Sequence, residues 1–313
     1  PVSGSFSFRA VSAGLRRSCG LVEEGTLYCW GTQRLGGLGD AGTADRREPV
    51  QVGGDHRYLT VSVGNRHSCA VTDANVAHCW GTNAFGQLGD GSRVHRPEPT
   101  PVAGDLRFSS VSAGLEHSCG LTLTGEAWCW GANYMGQVGD GGRTDAQPAP
   151  VQVEVEGATF RSVAAGYNVG CGVTTSGEAW CWGVNHTGVL GDGSTELRAG
   201  AVKVEGGPRF QSVTVGQLHA CGLAEDGSAW CWGLNNRGQL GDGSRNSRSA
   251  PIQVAGGHSF AALSAGALLT CGITVSGEGL CWGRDLSVGL AGETGGDALQ
   301  PVRVETDSAF KTP

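Results

Sequence analysis

Apolar and polar positions along the chain recur with a long period and a short one. Trp30, Trp80, Trp130, Trp182, Trp232 and Trp282 each stand in a Cys-Trp-Gly triplet, at spacings of 50, 50, 52, 50 and 50. An aromatic residue lies 11 positions before the first Cys of each unit: Phe8, Tyr58, Phe108, Phe160, Phe210 and Phe260. An aliphatic residue follows it 3 places later, at Val11, Val61, Val111, Val163, Val213 and Leu263. Inside a unit the apolar positions alternate over short runs, as at 58–64, and Gly-rich turns separate the runs. Self-similarity at a fixed period of this length marks a repeat architecture. Three or four short strands per unit, without a helix-period stretch, describe the blade of a propeller. The expected fold class is all-β: a β-propeller of six blades of about 50 residues each. Part of a seven-bladed or longer array is the alternative.

On this reading residues 1–313 are a single β-propeller domain with units at approximately 1–48, 49–100, 101–149, 150–200, 201–250 and 251–300. Each later unit opens on a Pro-Val-Gln-Val type strand, as at 49–52, 150–153 and 251–254. The sixth unit lacks the Gly-Gln step and the Asp-Gly turn over 284–290, and terminal units are often atypical. Residues 301–313 begin a seventh copy in register, since Phe310 lies 50 residues after Phe260. The expectation is that 301–304 gives a strand to the first blade and closes six blades, the rest forming a tail.

The cysteines sharpen this picture. All 12 fall into six pairs at constant separation: Cys19 with Cys29, Cys69 with Cys79, Cys119 with Cys129, Cys171 with Cys181, Cys221 with Cys231, and Cys271 with Cys281. Between them runs a turn whose third residue is Gly25, Asn75, Gly125, Gly177, Gly227 or Gly277. A three-residue hairpin loop needs a left-handed third position, which Gly and Asn accept at least cost. A loop at 23–25 sets Cys19 opposite Cys29, within reach of a bridge. Within-blade disulfides are preferred over free buried thiols and over a metal site, because one pair per blade leaves zinc two ligands short. Six bridges imply an oxidising compartment: secreted, periplasmic or cell-surface. No signal peptide is visible, and the sequence is expected to be the mature part.

Composition excludes several classes. Gly supplies 55 of 313 residues, yet without a collagen period. Net charge is -7 and no Lys/Arg run exceeds two residues, so no nucleic-acid partner is expected. No run of 18 apolar residues exists, so no membrane span is expected. Gly-x-Ser-x-Gly, Walker-type and His-Glu-x-x-His motifs are absent, and neither a catalytic constellation nor a cofactor is expected.

The stretch Gly64-Asn65-Arg66-His67-Ser68-Cys69, followed by Trp80-Gly81-Thr82-Asn83-Ala84-Phe85-Gly86-Gln87-Leu88-Gly89, resembles the repeat of the regulator of chromosome condensation family. The resemblance covers essentially the whole chain and implies a β-propeller, which in that family usually has seven blades. The Cys pair is foreign to the eukaryotic nuclear pattern and looks like that of secreted bacterial members. Nuclear members are exchange factors for a small GTPase, a role opposed by disulfides, acidic balance and the lack of a basic tail. A photoreceptor branch carries Gly-Trp-Arg-His-Thr motifs. Here the residue after Gly is Leu15, Asn65, Leu115, Tyr167, Gln217 or Ala267, never Trp.

In a repeat scaffold, shared positions are mostly structural and differing positions are free to bind. The Asn of Trp-Gly-x-Asn (Asn83, Asn133, Asn185, Asn235) is expected to bond turn backbone. Asp40, Asp90, Asp140, Asp192 and Asp242 are expected to cap turns rather than hold calcium, which needs six to eight gathered oxygens. The loop between Gly and Cys differs most. It supplies the candidate partner-binding residues Arg16, Arg17, Asn65, Arg66, His67, Glu116, His117, Tyr167, Asn168, Gln217 and His219, expected to crown the channel. The competing readings are that each His bonds its own blade, or that three His hold a metal. The stretches 43–48, 92–98, 142–147, 194–198 and 244–249 show no common pattern and are expected to be outer loops.

The function expected is non-catalytic: a secreted or surface-exposed scaffold presenting variable loops to an extracellular protein or glycan. The alternatives are an enzyme at the channel mouth built on Arg66, His67, Glu116 and His117, or a structural module that self-assembles through its faces.

Overall fold

The computed structural model describes residues 6–284 and 296–304. The chain divides into two compact units, Pro1–Glu154 and Val155–Pro313. The first contains three four-stranded antiparallel sheets. They are β1 (Phe8–Ala13) to β4 (Arg46–Gln51) through β2 (Arg17–Val22) and β3 (Leu27–Gly31); β5 (Tyr58–Val63) to β8 (Arg96–Pro101) through β6 (His67–Thr72) and β7 (Ala77–Gly81); and β9 (Phe108–Ala113) to β12 (Ala146–Val153) through β10 (His117–Thr122) and β11 (Ala127–Ala132).

The second unit repeats the plan. Its sheets are β13 (Phe160–Ala165), β14 (Val169–Thr174), β15 (Ala179–Gly183) and β16 (Arg198–Lys203); β17 (Phe210–Val215), β18 (His219–Ala224), β19 (Ala229–Gly233) and β20 (Arg248–Gln253); and β21 (Phe260–Ala265), β22 (Leu269–Thr274), β23 (Gly279–Gly283) and β24 (Ala298–Arg303). No α-helix occurs among the described residues. The fold class is an all-β, six-bladed β-propeller.

The sheets are offset from the sequence units. The Pro-Val-Gln-Val segment does not open a blade but ends the one before it: Val50 pairs with Cys29, Thr100 with Cys79 and Ile252 with Cys231. The same register corrects the closure expectation. Val302 pairs with Cys281 and Arg303 with Leu280, so 298–303 is the outer strand of the sixth sheet, and the first sheet has four strands of its own. The continuous hairpin already presents the edge that this segment completes, so no strand need be borrowed. Phe310 and the divergent segment at 285–290 lie outside the described residues. The outer strands carry Pro at 49, 97, 99, 101, 148 and 150, which blunts an otherwise open sheet edge.

The hairpins match the expected geometry. Gly25 has φ +84°, Asn75 +59° and Gly125 +84°, with Val22 N–H donating to Thr26 O at 3.1 Å. In the first unit Cys19 faces Cys29, Cys69 faces Cys79, and Cys119 faces Cys129. In the second, Cys171 faces Cys181, Cys221 faces Cys231, and Cys271 faces Cys281. All six pairs have sulfurs 2.04–2.13 Å apart and Cα atoms 4.0–4.1 Å apart. Each blade therefore has one internal disulfide, in the pairing that the constant spacing implied.

Adjacent blades of a unit stack by one rule. The disulfide face of one sheet, with its Leu and Val, packs against the aromatic and Trp of the next. Leu21, Leu27 and Leu38 meet Tyr58, Val63 and Trp80. Val71, Leu88 and Val102 meet Phe108, Val111 and Trp130. Inner strands are also tied by hydroxyls: Ser12 Oγ accepts from Val63 N–H and Ser62 Oγ from Ala113 N–H, both at 2.9 Å.

One turn departs from its copies. Gly91, Gly141, Gly193 and Gly243 sit at φ between +76° and +82°, whereas Ala41 occupies the equivalent place at +56°. A Cβ in the left-handed region costs about 1 kcal/mol. Ala41→Gly is therefore predicted to stabilise the protein by about 1 kcal/mol, read as a higher denaturation midpoint. An unchanged or lower midpoint would show that the turn carries no strain.

Candidate functional site

An antiparallel meander places the first and third connections of every sheet at one end. There the loops at 14–16, 64–66 and 114–116 of the first unit meet those that follow β3, β7 and β11. Backbone bonds fasten the two sets: Thr32 N–H donates to Arg16 O, Thr82 to Arg66 O and Ala132 to Glu116 O at 2.8–3.1 Å.

The candidate crown separates into two layers. His67, His117 and His219 are fully buried, and Arg17 and Glu116 nearly so. Arg16 and Arg66 are exposed, and Asn65, Tyr167, Asn168 and Gln217 are half-buried. The buried layer does not present itself to a partner; it links blades. His67 Nε2 lies 2.6 Å from Ser118 Oγ on the next sheet, and Ser118 donates to Gln87 O at 2.9 Å. A hydroxyl has one proton, so His67 must donate from Nε2, leaving Nδ1 as the bare acceptor. His219 repeats the device in the second unit, 2.8 Å from Thr270 Oγ1, which donates to Gln239 O at 3.0 Å. The histidines thus bond across to the following blade rather than within their own, because the hydroxyl that can accept them is carried by the neighbour's second strand. His67 and His219 lie in different units, and no group of three or more metal-ligating side chains forms among the described residues.

Burial fixes the protonation of this layer. Desolvation, then the charges of Arg17 and His117, lowers the His67 pKa to about 3, and desolvation lowers that of His219 to about 4. The same effect lowers Arg17 to about 10; its guanidinium donates to Asn65 O at 3.1 Å. Glu116 forms an ion pair with Arg66 at 3.0 Å and accepts from Tyr134 Oη at 3.1 Å. Burial and the Glu116 charge raise Tyr134 to about 12. Arg66, Glu116 and Tyr134 are therefore one linked cluster on the second and third blades.

The turns confirm the structural reading of Asn and Asp. Asn83 Nδ2 donates to Asp90 Oδ1 and to Ser92 O at 3.1 Å, while its Oδ1 accepts from Leu88 N–H at 2.9 Å. In the first blade Gln33 takes the place of Asn and reaches Gly42 O and Leu38 N–H. The stretches after these turns do have a common pattern, contrary to expectation. Arg46, Arg96, Arg198 and Arg248 each bond the blade's own turn aspartate at 2.9–3.4 Å. Burial opposes the charge of Asp90, but hydrogen bonds from Ser92, Arg96 and Asn83 outweigh it and hold the carboxyl below its usual pKa. The missed signal was an Arg 6 residues after Asp in four units.

The repeat model named regulator of chromosome condensation (RCC1) repeat matches residues 24–71, 76–121, 124–173 and 226–273, and a second model of the same repeat matches 8–36, 59–87, 108–137, 160–188 and 210–239. The chain belongs to this family. Human WBSCR16 has the same fold, with a TM-score of 0.87 and 19% identity over 97% of this chain and 83% of its own. Prp20p of Saccharomyces cerevisiae aligns at 0.83 and 18% identity over 95% of this chain and 77% of its own. The CRINKLY WD40 ectodomain of the Arabidopsis thaliana receptor kinase ACR4 aligns at 0.56 and 22% identity over 94% of this chain and 83% of its own. No curated protein matches the sequence.

The two neutral histidines make stability pH-dependent. Each binds a proton near pH 6.5 when unfolded but only near pH 3–4 when folded, so acid favours the unfolded chain. Their contribution is complete above the unfolded value and is lost as pH falls toward the folded one. Between pH 7 and about pH 5 each removes about 2 kcal/mol from the unfolding free energy. Urea titration of the wild type against His67→Gln should show a shallower loss in the variant over that window. Parallel curves would place His67 outside the buried layer.

Proposed function

We propose that this RCC1-repeat propeller is a non-catalytic binding scaffold of an oxidising compartment, and that it offers the loop end of its blades to a protein partner. The observation that carries this reading is the division of the variable loop residues into two layers. In the inner layer Arg17, His67 and His219 are spent on bonds to the following blade, and His117 is buried with them. In the outer layer Arg66 pairs with Glu116, whereas Arg16 is exposed and Tyr167 and Gln217 are half-buried. In the first unit Arg16 and Arg34 are exposed without an ion-pair partner among the described residues, beside the exposed Leu15 and Leu35. Cationic and apolar groups side by side suit an acidic protein surface with apolar anchors. In the second unit Tyr167 and Gln217 hold the places equivalent to Leu15.

Two likenesses support the reading. Prp20p, of the same fold, is described by its binding to Gsp1p and histones, and yeast RCC1 (Prp20) was solved bound to Kap60. The ACR4 relative is an ectodomain, a setting that favours disulfides. Six internal disulfides support an oxidising compartment for this chain.

Protein isolated from its source with its thiols alkylated at lysis should show no titratable thiol after unfolding without reductant; 12 would remove the compartment claim. A partner captured by the wild type should bind Arg16→Glu/Arg34→Glu roughly tenfold more weakly, with reduced salt dependence. Binding unchanged by that reversal, and by Tyr167→Ala/Gln217→Ala, would move the partner to another surface.

A further inference from the structure

The link between adjacent blades of a unit follows one rule and breaks it once. The residue two places before the first Cys is matched to one 51 positions on, in the next blade, and to one 20 positions on, in its own turn. His67 has Ser118 and Gln87, and His219 has Thr270 and Gln239. Val169, Val189 and Ala220 are all apolar and share one core. The first seam carries the hydroxyl that suits a histidine. Ser68 is fully buried and donates to Gly37 O at 3.4 Å, as Ser118 donates to Gln87 O. Yet the matching residue is Arg17, and Gly37 stands in place of the glutamine.

The exchange puts a charge where the seam requires none. A Cβ on Gly37 would fall onto Arg17 Nη1, so the guanidinium occupies room that the missing side chain leaves. Arg17 is 8% exposed; its Nη2 donates to a neutral carbonyl, Asn65 O, and its Nη1 is buried without a hydrogen-bond partner. Among the described residues no carboxylate forms an ion pair with it, nor with the exposed Arg16 and Arg34. A buried charge without a counter-ion costs stability, whereas the uncharged pairs used elsewhere in the repeat do not. The two loops that carry these arginines are fastened together, since Thr32 N–H donates to Arg16 O at 2.9 Å. Leu15 and Leu35 are exposed on the same loops, Leu35 at φ +54°.

We propose that Arg17 is the buried charge of an oxyanion site at the loop end of the first blade, whose ligand is a carboxylate side chain flanked by apolar residues in a protein partner. Such a site rests on the assignment of that end to an acidic partner, and Arg17 becomes the residue that selects the charge. Arg16 and Arg34 meet the ligand in solvent, Leu15 and Leu35 take its apolar neighbours, and Arg17 acts through its field. In low dielectric that field attracts an anion more strongly than a solvated guanidinium does, and salt screens it less. The leucines favour a peptide carboxylate over a free phosphate, which has no apolar group to place on them.

Random peptides of about 12 residues, displayed on phage and selected on the immobilised wild type at low salt, should be enriched in Asp or Glu next to Leu, Ile or Phe. A selected peptide is then titrated against Arg17→His/Gly37→Gln, which rebuilds the arrangement of His67 and Gln87, and against Arg17→Met. Both variants should bind at least about tenfold more weakly, with the loss persisting from about 50 to 300 mM salt. At least one of them should keep or exceed the wild-type denaturation midpoint. Replacing the peptide's carboxylate by its amide should weaken wild-type binding by a similar factor and change the variants' binding little. Binding that resists both Arg17 variants but is weakened by Arg16→Glu/Arg34→Glu would overturn the buried site and leave the acidic partner standing. Selection of no acidic peptide would overturn both. Earlier unfolding of both Arg17 variants would make Arg17 a structural link between blades and overturn the site.

Discussion

The structure depends on one packing constraint: the Trp of each following blade lies against a Gly of the preceding turn with no room for a methyl group. Gly89 and Trp130 illustrate it, and the same turn returns a hydrogen bond, since Gln87 O accepts from both Trp130 Nε1 and Ser118 Oγ. A single turn thus supplies steric fit, a satisfied indole N–H and an anchor for the hydroxyl that receives His67. The abundance of Gly follows from backbone approaching side chains this closely, not from flexibility. Disulfides then work locally, as Cys119 to Cys129 and Cys171 to Cys181 do, holding each hairpin in register. Cohesion between blades comes from the apolar contact.

Repetition made the fold legible. The Trp spacing, the aromatic at its fixed offset, and Gly or Asn at the third loop position specified strands, hairpins and Cys pairing. Those features are local, or recur at one period, so each unit reports on all the others. The blade boundary was not legible, because a Pro-Val-Gln-Val strand reads the same whether it begins one sheet or ends another. Only the register of Val50 on Cys29 decides it. The Arg of the turn stretches was missed for a different reason. Its loop context varies enough to hide a constant offset from Asp.

Of the candidate site, the sequence did not reveal depth: Arg17, His67, Glu116, His117 and His219 are buried. Variation among units points to the loops at one end of the sheets, but variation does not distinguish a solvent-facing residue from one matched to a variable neighbour. His67 faces Ser118 and His219 faces Thr270, each 51 residues away, and Val169 and Leu269 stand where no such pair is used. Pairing across the repeat, rather than difference within it, separates the buried layer from the exposed one. Arg16 is exposed and Tyr167 and Gln217 are half-buried, outside that buried layer.

If the seal from the preceding blade holds each sheet, stability should be uneven along the first unit. Native-state hydrogen exchange in dilute solution measures this directly. Amides of β5 and β9, beneath sealed faces, should exchange only through global unfolding. Those of β1, where Val11 and Ala13 are exposed, should exchange through local opening at least about 2 kcal/mol below that limit. Equal protection of β1, β5 and β9 would contradict the account, because the inner strand would then owe its stability to its own sheet and not to the blade before it.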